Sequence, residues 1–102
     1  MNNLRLMRCF VTVANELSFT AAAEHLNMAQ PALSRALRQL EDHFGSRLFD
    51  RTTRRVRLTA FGRAFLPEAV AVLEQFARAE RIGREMGRGM RGQIRIGYTE
   101  FV

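Results

Sequence analysis

Gln30, Pro31, Ala32, Ser34, Arg35 and Arg38 all fall within residues 30–38. At 100° per residue, Pro31, Ser34, Arg35 and Arg38 share one sector of a helix. The opposite side carries Leu33, Leu37, Leu40 and Phe44 at spacings of 4, 3 and 4, with Ala36 beside them. Such a helix has an apolar face for a core and a second face that is small, polar and cationic. A carboxamide, a hydroxyl and two guanidinium groups in that order suit hydrogen bonding to base edges and to phosphate. The plainer alternatives are helix capping for Gln30 and a solvated face for Arg35 and Arg38.

A second cationic cluster follows. Residues 47–63 hold six arginines (47, 51, 54, 55, 57 and 63) against Asp50 alone. Ten arginines and five acids give residues 1–63 a net +5, and six against five give residues 64–102 a net +1. A surface needing only solubility intersperses its signs. All sixteen basic residues are Arg, a compositional bias that lowers the information in any isolated one. The net +6 points to an anionic partner, nucleic acid or a membrane surface.

Several classes fall away. The chain of 102 residues is one ordinary domain, or a small domain with an appendage. A single Cys excludes an internal disulfide framework, and no Cys/His spacing suggests zinc or another metal. The early apolar run, Cys9 to Ala14, is far shorter than the roughly 20 residues of a membrane span. No small-residue cleavage site follows it, so a cytoplasmic protein is expected. No helix pairs a wide apolar face with a basic one free of acids, which disfavours a membrane partner. His25 and His43 have no evident nucleophile or metal partner, and the acids are scattered, so an enzyme is not expected.

The elements that must position these residues follow from periodicity. Leu4, Met7, Val11 and Ala14, widened by Leu6, Phe10, Val13 and Leu17, predict a helix over about 3–16, with Cys9 and Met7 in the core. Ser18 can cap a short helix over 19–26, and Asn27 suits a tight turn at 26–29. Pro31 fits the first turn of a third helix over 30–44, stopped at Gly45. Residues 48–51 and 56–58 read as strands around a tip carrying Arg54 and Arg55. The fold class is therefore mainly α: a winged helix-turn-helix, three helices plus a β-hairpin wing, over 1–58. Thr59 can cap a long helix reaching about 86–90, through which residues 59–90 form a linker. Its seam, Phe65, Ala69, Val72, Phe76, Ala79, Gly83 and Met86, has heptad spacing and calls for a partner. The chain's own first helix is the alternative cover for part of it. Gln93 to Tyr98 alternates like a strand, so 91–102 is expected to open a further domain.

The series Leu4-Arg5, Phe10, Ser18-Phe19-Thr20, Ala22-Ala23, Leu26, Gln30 to Arg35, Leu40-Glu41, Gly45, Leu48-Phe49, Arg51, Leu58-Thr59 and Gly62 resembles the N-terminal part of the LysR-type transcriptional regulators. The likeness covers about residues 4–98. It implies a bacterial, nucleoid-associated regulator acting as a homodimer on pseudo-palindromic double-stranded DNA. It also implies a small-molecule effector site in a C-terminal domain almost wholly outside this chain, with no cofactor in the chain itself. A tetramer of the whole protein and contact with RNA polymerase belong to the same expectation. Two positions depart from the family pattern: Ala29 lacks the usual capping hydroxyl, and Ala21 stands where many members carry a cation.

With that resemblance, Gln30 and Arg35 are expected to read bases in the major groove, with Ser34 on a base or a phosphate. Pro31 and Ala32 would touch a thymine methyl and Arg38 a phosphate. Arg54 is expected in the minor groove, and Arg51 and Arg55 on phosphates; Arg51 can equally pair Asp50 or Glu41. Ser18 and Thr20 would hold phosphate, or Ser18 would serve as a cap. Phe65, Ala69, Val72, Phe76 and Ala79 are the expected dimer contacts. A winged helix used only for protein contact remains the rival, and it leaves the arginine-rich hairpin unexplained.

Overall fold

The computed structural model describes residues 3–51 and 55–97, the last seven by backbone alone. Its order is α1 (Asn3–Glu16), α2 (Phe19–Leu26), α3 (Gln30–Phe44), β1 (Phe49–Asp50), β2 (Arg57–Leu58) and α4 (Ala60–Gly97). It is a winged helix-turn-helix with a long C-terminal helix.

The apolar stripes of the first three helices meet in one core. Leu6, Cys9, Phe10 and Val13 of α1 face Ala22 and Ala23 of α2 and Leu33, Ala36, Leu37 and Leu40 of α3. Leu48 and Phe49 close it from the hairpin side. Each fully buried Leu or Phe contributes about 1.5–3 kcal/mol over an exposed one. The rings of Phe10 and Phe49 lie 5.5 Å apart, and Phe19 meets Phe49 edge-on at 6.1 Å. The hairpin base is thereby tied to both α1 and α2.

Local chemistry sets the boundaries. Ser18 Oγ accepts the Ala21 N–H at 3.1 Å and caps α2. Asn27 takes the left-handed conformation, φ 54°, and closes α2. Gly45, φ 69°, ends α3. Ala29 precedes α3 with no side-chain cap, and Pro31 sits in its first turn. The strands pair antiparallel, Phe49 with Leu58 and Asp50 with Arg57. They are two residues each where 48–51 and 56–58 were expected, and the Leu48 carbonyl accepts the Thr59 N–H at 3.0 Å one step beyond the paired residues, in the same register. Thr59 Oγ1 accepts the Gly62 N–H at 3.0 Å and donates to the Arg47 carbonyl at 2.5 Å. It caps α4 and pins that helix to the wing's first limb.

Three expectations change. Leu17 leaves the α1 stripe: its N–H bonds to the Val13 carbonyl at 2.8 Å, its φ is 53°, and its side chain is 57% exposed. That left-handed residue ends α1 and swings the side chain off the core. Residues 93–97 continue α4 where a strand was expected. A lone strand has no ladder partner, whereas a helix satisfies its own backbone groups. Tyr98 lies outside the described residues. Finally, Ala69 is fully buried and Phe65 packs on the core, 5.7 Å from Phe10 and 4.9 Å from Phe44 between ring centres. Ala69 has no surface to give a second copy, so it leaves the expected dimer contacts. The chain's own core also takes much of Phe65.

Candidate nucleic-acid interface

The backbone turn at Asn27 presents α3 outward from the core. The Asn27 N–H bonds to the Glu24 carbonyl at 3.2 Å and the Met28 N–H to the Ala23 carbonyl at 2.9 Å. Leu33, Leu37 and Leu40 then enter the core with 1% exposure or less. Geometry forces the other sector of α3 outward: Gln30, Pro31, Arg35 and Arg38 are exposed, and Ala32 and Ser34 are half-buried. Pro31, Ser34, Arg35 and Arg38, the four that periodicity puts in one sector, lie on this side, with Gln30 and Ala32 at its two edges.

Two side chains of α2 border that face. Thr20 Oγ1 donates to Gln30 Oε1 at 3.3 Å. Ser18 is half-buried, and its capping bond uses a lone pair, leaving its own proton to donate. Capping and anion binding are therefore compatible at Ser18.

The wing is held to α3 by a carboxylate that the sequence reading did not place among the site residues. Glu41 is 6% exposed. Its Oε2 accepts the Leu48 N–H at 2.8 Å, and its Oε1 accepts Arg51 Nη1 at 3.1 Å. The Arg51 guanidinium also lies 5.8 Å from the centre of the Phe19 ring, a distance suited to cation–π attraction. Of the two roles open for Arg51, the structure shows the pairing with Glu41. The signal for Glu41 was an acid directly after Leu40, on the edge of an apolar stripe where a solvated carboxylate has no room.

Arg47, Arg55 and Arg57 are exposed on the hairpin side. Arg54 lies outside the described residues. Arg63 Nη1 donates to the Leu58 carbonyl at 3.0 Å and braces the second wing limb. Arg38 of α3 and Arg47 and Arg51 on the hairpin side line one groove, with Glu41, Asp42 and Ser46 between them. That surface suits a polyanion with readable edges.

Beyond the core, α4 carries exposed apolar side chains at seam positions: Val72 at 41%, Phe76 at 39% and Met86 at 54%. Ala79 is exposed between them. At 1.5 Å per residue, 38 residues extend about 57 Å, far past the core it leaves.

Among the described residues, no group of three His, Cys, Asp or Glu side chains is placed to hold a metal ion. No helix among them is long and apolar enough to cross a membrane. His25 Nδ1 sits 3.3 Å from Glu16 Oε1, and His43 lies edge-on to Phe44.

Residues 4–63 match the family described as "Bacterial regulatory helix-turn-helix protein, lysR family". Over 96 residues, 94% of this chain, the sequence is 43% identical to the HTH-type transcriptional regulator ShiR of Corynebacterium glutamicum (strain R), covering 32% of it. It is also 43% identical over 96 residues to the HTH-type transcriptional regulator BudR of Klebsiella aerogenes, covering 67% of that protein. A crystal structure of the BenM DBD in complex with catB site 1 DNA is 37% identical, with a TM-score of 0.79 over 82% of this chain and 94% of that one. Full-length OxyR C199D from Pseudomonas aeruginosa is 36% identical, with a TM-score of 0.78 over 80% of this chain and 28% of that one. The chain thus spans about a third of the length of relatives such as ShiR.

Proposed function

Because the chain belongs to the LysR family of bacterial regulatory helix-turn-helix proteins, we propose that it binds double-stranded DNA sequence-specifically as part of a transcriptional regulator. In this reading α3 enters the major groove N-terminus first, and the hairpin lies against the adjacent minor groove. One observation carries it: α3 is divided lengthwise, with leucines wholly inside and Gln30, Pro31, Arg35 and Arg38 outside. The likeness to a BenM domain in a DNA complex supports DNA binding by this fold. The relatives are transcriptional regulators, so the reading is of a binding domain and not of an enzyme.

Gln30 and Arg35 read base edges, Ser34 a base or a phosphate, and Pro31 and Ala32 a thymine methyl. Arg38, Arg55 and Ser18 hold phosphates, and Arg54 reaches the minor groove. Arg51 acts indirectly, setting the wing against α3. The exposed seam of α4, Val72, Phe76 and Ala79, joins two copies, so that two α3 helices address a pseudo-palindrome. Linking two heads raises apparent affinity through effective concentration without any new DNA contact. In the whole regulator, an effector domain follows α4, and tetramer formation, contact with RNA polymerase and residence at the cytoplasmic nucleoid belong to that larger assembly.

Arg35→Ala tests the reading. Binding is measured on a duplex selected from a random library and on random DNA, each at two salt concentrations. The variant is expected to lose about 1–3 kcal/mol on the selected duplex and much less on random DNA. The wild type is expected to show a steep negative salt slope on both. Equal losses on the two DNAs assign Arg35 to the phosphate backbone instead.

A further inference from the structure

Thr20 in the first turn of α2 and Gln30 at the start of α3 are joined by the bond from Thr20 Oγ1 to Gln30 Oε1, 3.3 Å. Both residues are exposed, so surrounding side chains do not wedge the carboxamide in place. We infer that Thr20 is a positioning residue that selects which edge of the Gln30 carboxamide faces the DNA, and so sets base preference at the position Gln30 reads. This rests on the reading of α3 as the major-groove helix.

A threonine hydroxyl has one proton to donate. A phosphate oxygen only accepts. With its proton on Gln30 Oε1, Thr20 has none for a phosphate, so the phosphate role expected of its hydroxyl is displaced. Ser18 differs, because its oxygen is the acceptor in its own cap.

The consequence falls on Gln30. Its amide is planar, with an acceptor oxygen on one side and an amino donor on the other. Drawing Oε1 back toward α2 turns the amino group outward. A free glutamine pairs with adenine through both atoms at once, accepting from N6–H and donating to N7. A glutamine held by its oxygen presents donors, which suit guanine O6 and N7 or thymine O4. Thr20 therefore biases the position read by Gln30 away from adenine.

The test uses the full chain and a randomised duplex library. Sites are selected with the wild type, Thr20→Val, Thr20→Ser and Gln30→Ala, and affinities are then measured on duplexes differing at single base pairs, at two salt concentrations. Gln30→Ala is expected to erase preference at one position. Thr20→Val should shift that same position toward adenine by about fivefold or more, with an unchanged salt slope. Thr20→Ser, which keeps the hydroxyl, should retain the wild-type preference. A uniform loss on every duplex with a shallower slope in Thr20→Val would make Thr20 a phosphate contact and overturn the inference, leaving base reading by Gln30 intact. No change at any position in Gln30→Ala would overturn base reading by Gln30, and the inference with it.

Discussion

Arg51 Nη1 and Glu41 Oε1 lie 3.1 Å apart, with the carboxylate almost wholly buried and the guanidinium side chain 30% exposed. The pair spans the end of the third helix and the start of the wing. The second oxygen of Glu41 takes the Leu48 N–H. One carboxylate thus fixes both the backbone entering β1 and the side chain directly after it. Glu41→Ala strands a buried N–H, a loss of about 1–3 kcal/mol. Arg51 reaches water, so its own charge adds less than a fully buried partner would. Glu41→Gln keeps a neutral acceptor for Leu48 and should lose less. Urea unfolding of both variants measures this. Losses within about 0.5 kcal/mol of zero, as for ordinary surface changes, would show that the pair is incidental.

Gly62 is required by space. A Cβ there would overlap the Leu48 carbonyl oxygen, which is backbone and already bonded to Thr59. Gly62→Ala must push α4 off the wing, and overpacking of this kind typically costs about 1–3 kcal/mol or more. Gly89 has open space around it, so Gly89→Ala should strengthen the helix locally by up to about 1 kcal/mol. Thermal unfolding reads the first, and amide exchange along α4 the second. A Gly62→Ala protein as stable as the wild type would contradict the packing described.

Much of this architecture was legible in the sequence. The bounds of α1, α2 and α3 follow from leucine spacing together with Ser18, Asn27 and Gly45. The outward face of α3 follows from the same periodicity, because burying one sector leaves the other exposed. The seam of α4 was ambiguous for a physical reason. Heptad spacing shows that a stripe must be covered, not by what, and here the chain's own core takes Ala69 while Phe76 stays 39% exposed. The place of Glu41 beside Leu40 signals burial, but the groups it holds follow only once Leu48 and Arg51 of the wing are placed. Leu17 broke its stripe because a left-handed backbone overrides side-chain pattern.

Phe76 and Ala69 lie on the same seam with opposite surroundings, which separates assembly from folding. Phe76→Glu puts a charge on the exposed seam and is expected to yield a folded monomer in sedimentation. Ala69→Glu forces a charge into a site with no exposure, and should unfold the domain before it affects assembly. Circular dichroism beside sedimentation distinguishes the two. A Phe76→Glu protein that remains dimeric would move the interface elsewhere.

Cys9 offers a test against pH. Its side chain is 1% exposed, and its Sγ donates to Met28 Sδ at 3.8 Å. Burial pushes the thiol up from its ordinary value of 9.0, outweighing the pull of Arg5 and Arg8 toward ionisation. The folded state therefore holds the proton more tightly than the unfolded chain does. The sign follows: the contribution of Cys9 is complete below the ordinary thiol value and declines as pH rises through and above it. Native protein at pH 7 should resist thiol reagents until urea exposes Cys9. Between pH 7 and 10 the wild type should lose more stability than Cys9→Ala, which has no proton to release. Parallel losses in the two proteins, or rapid labelling of the native thiol, would place Cys9 outside the core in solution.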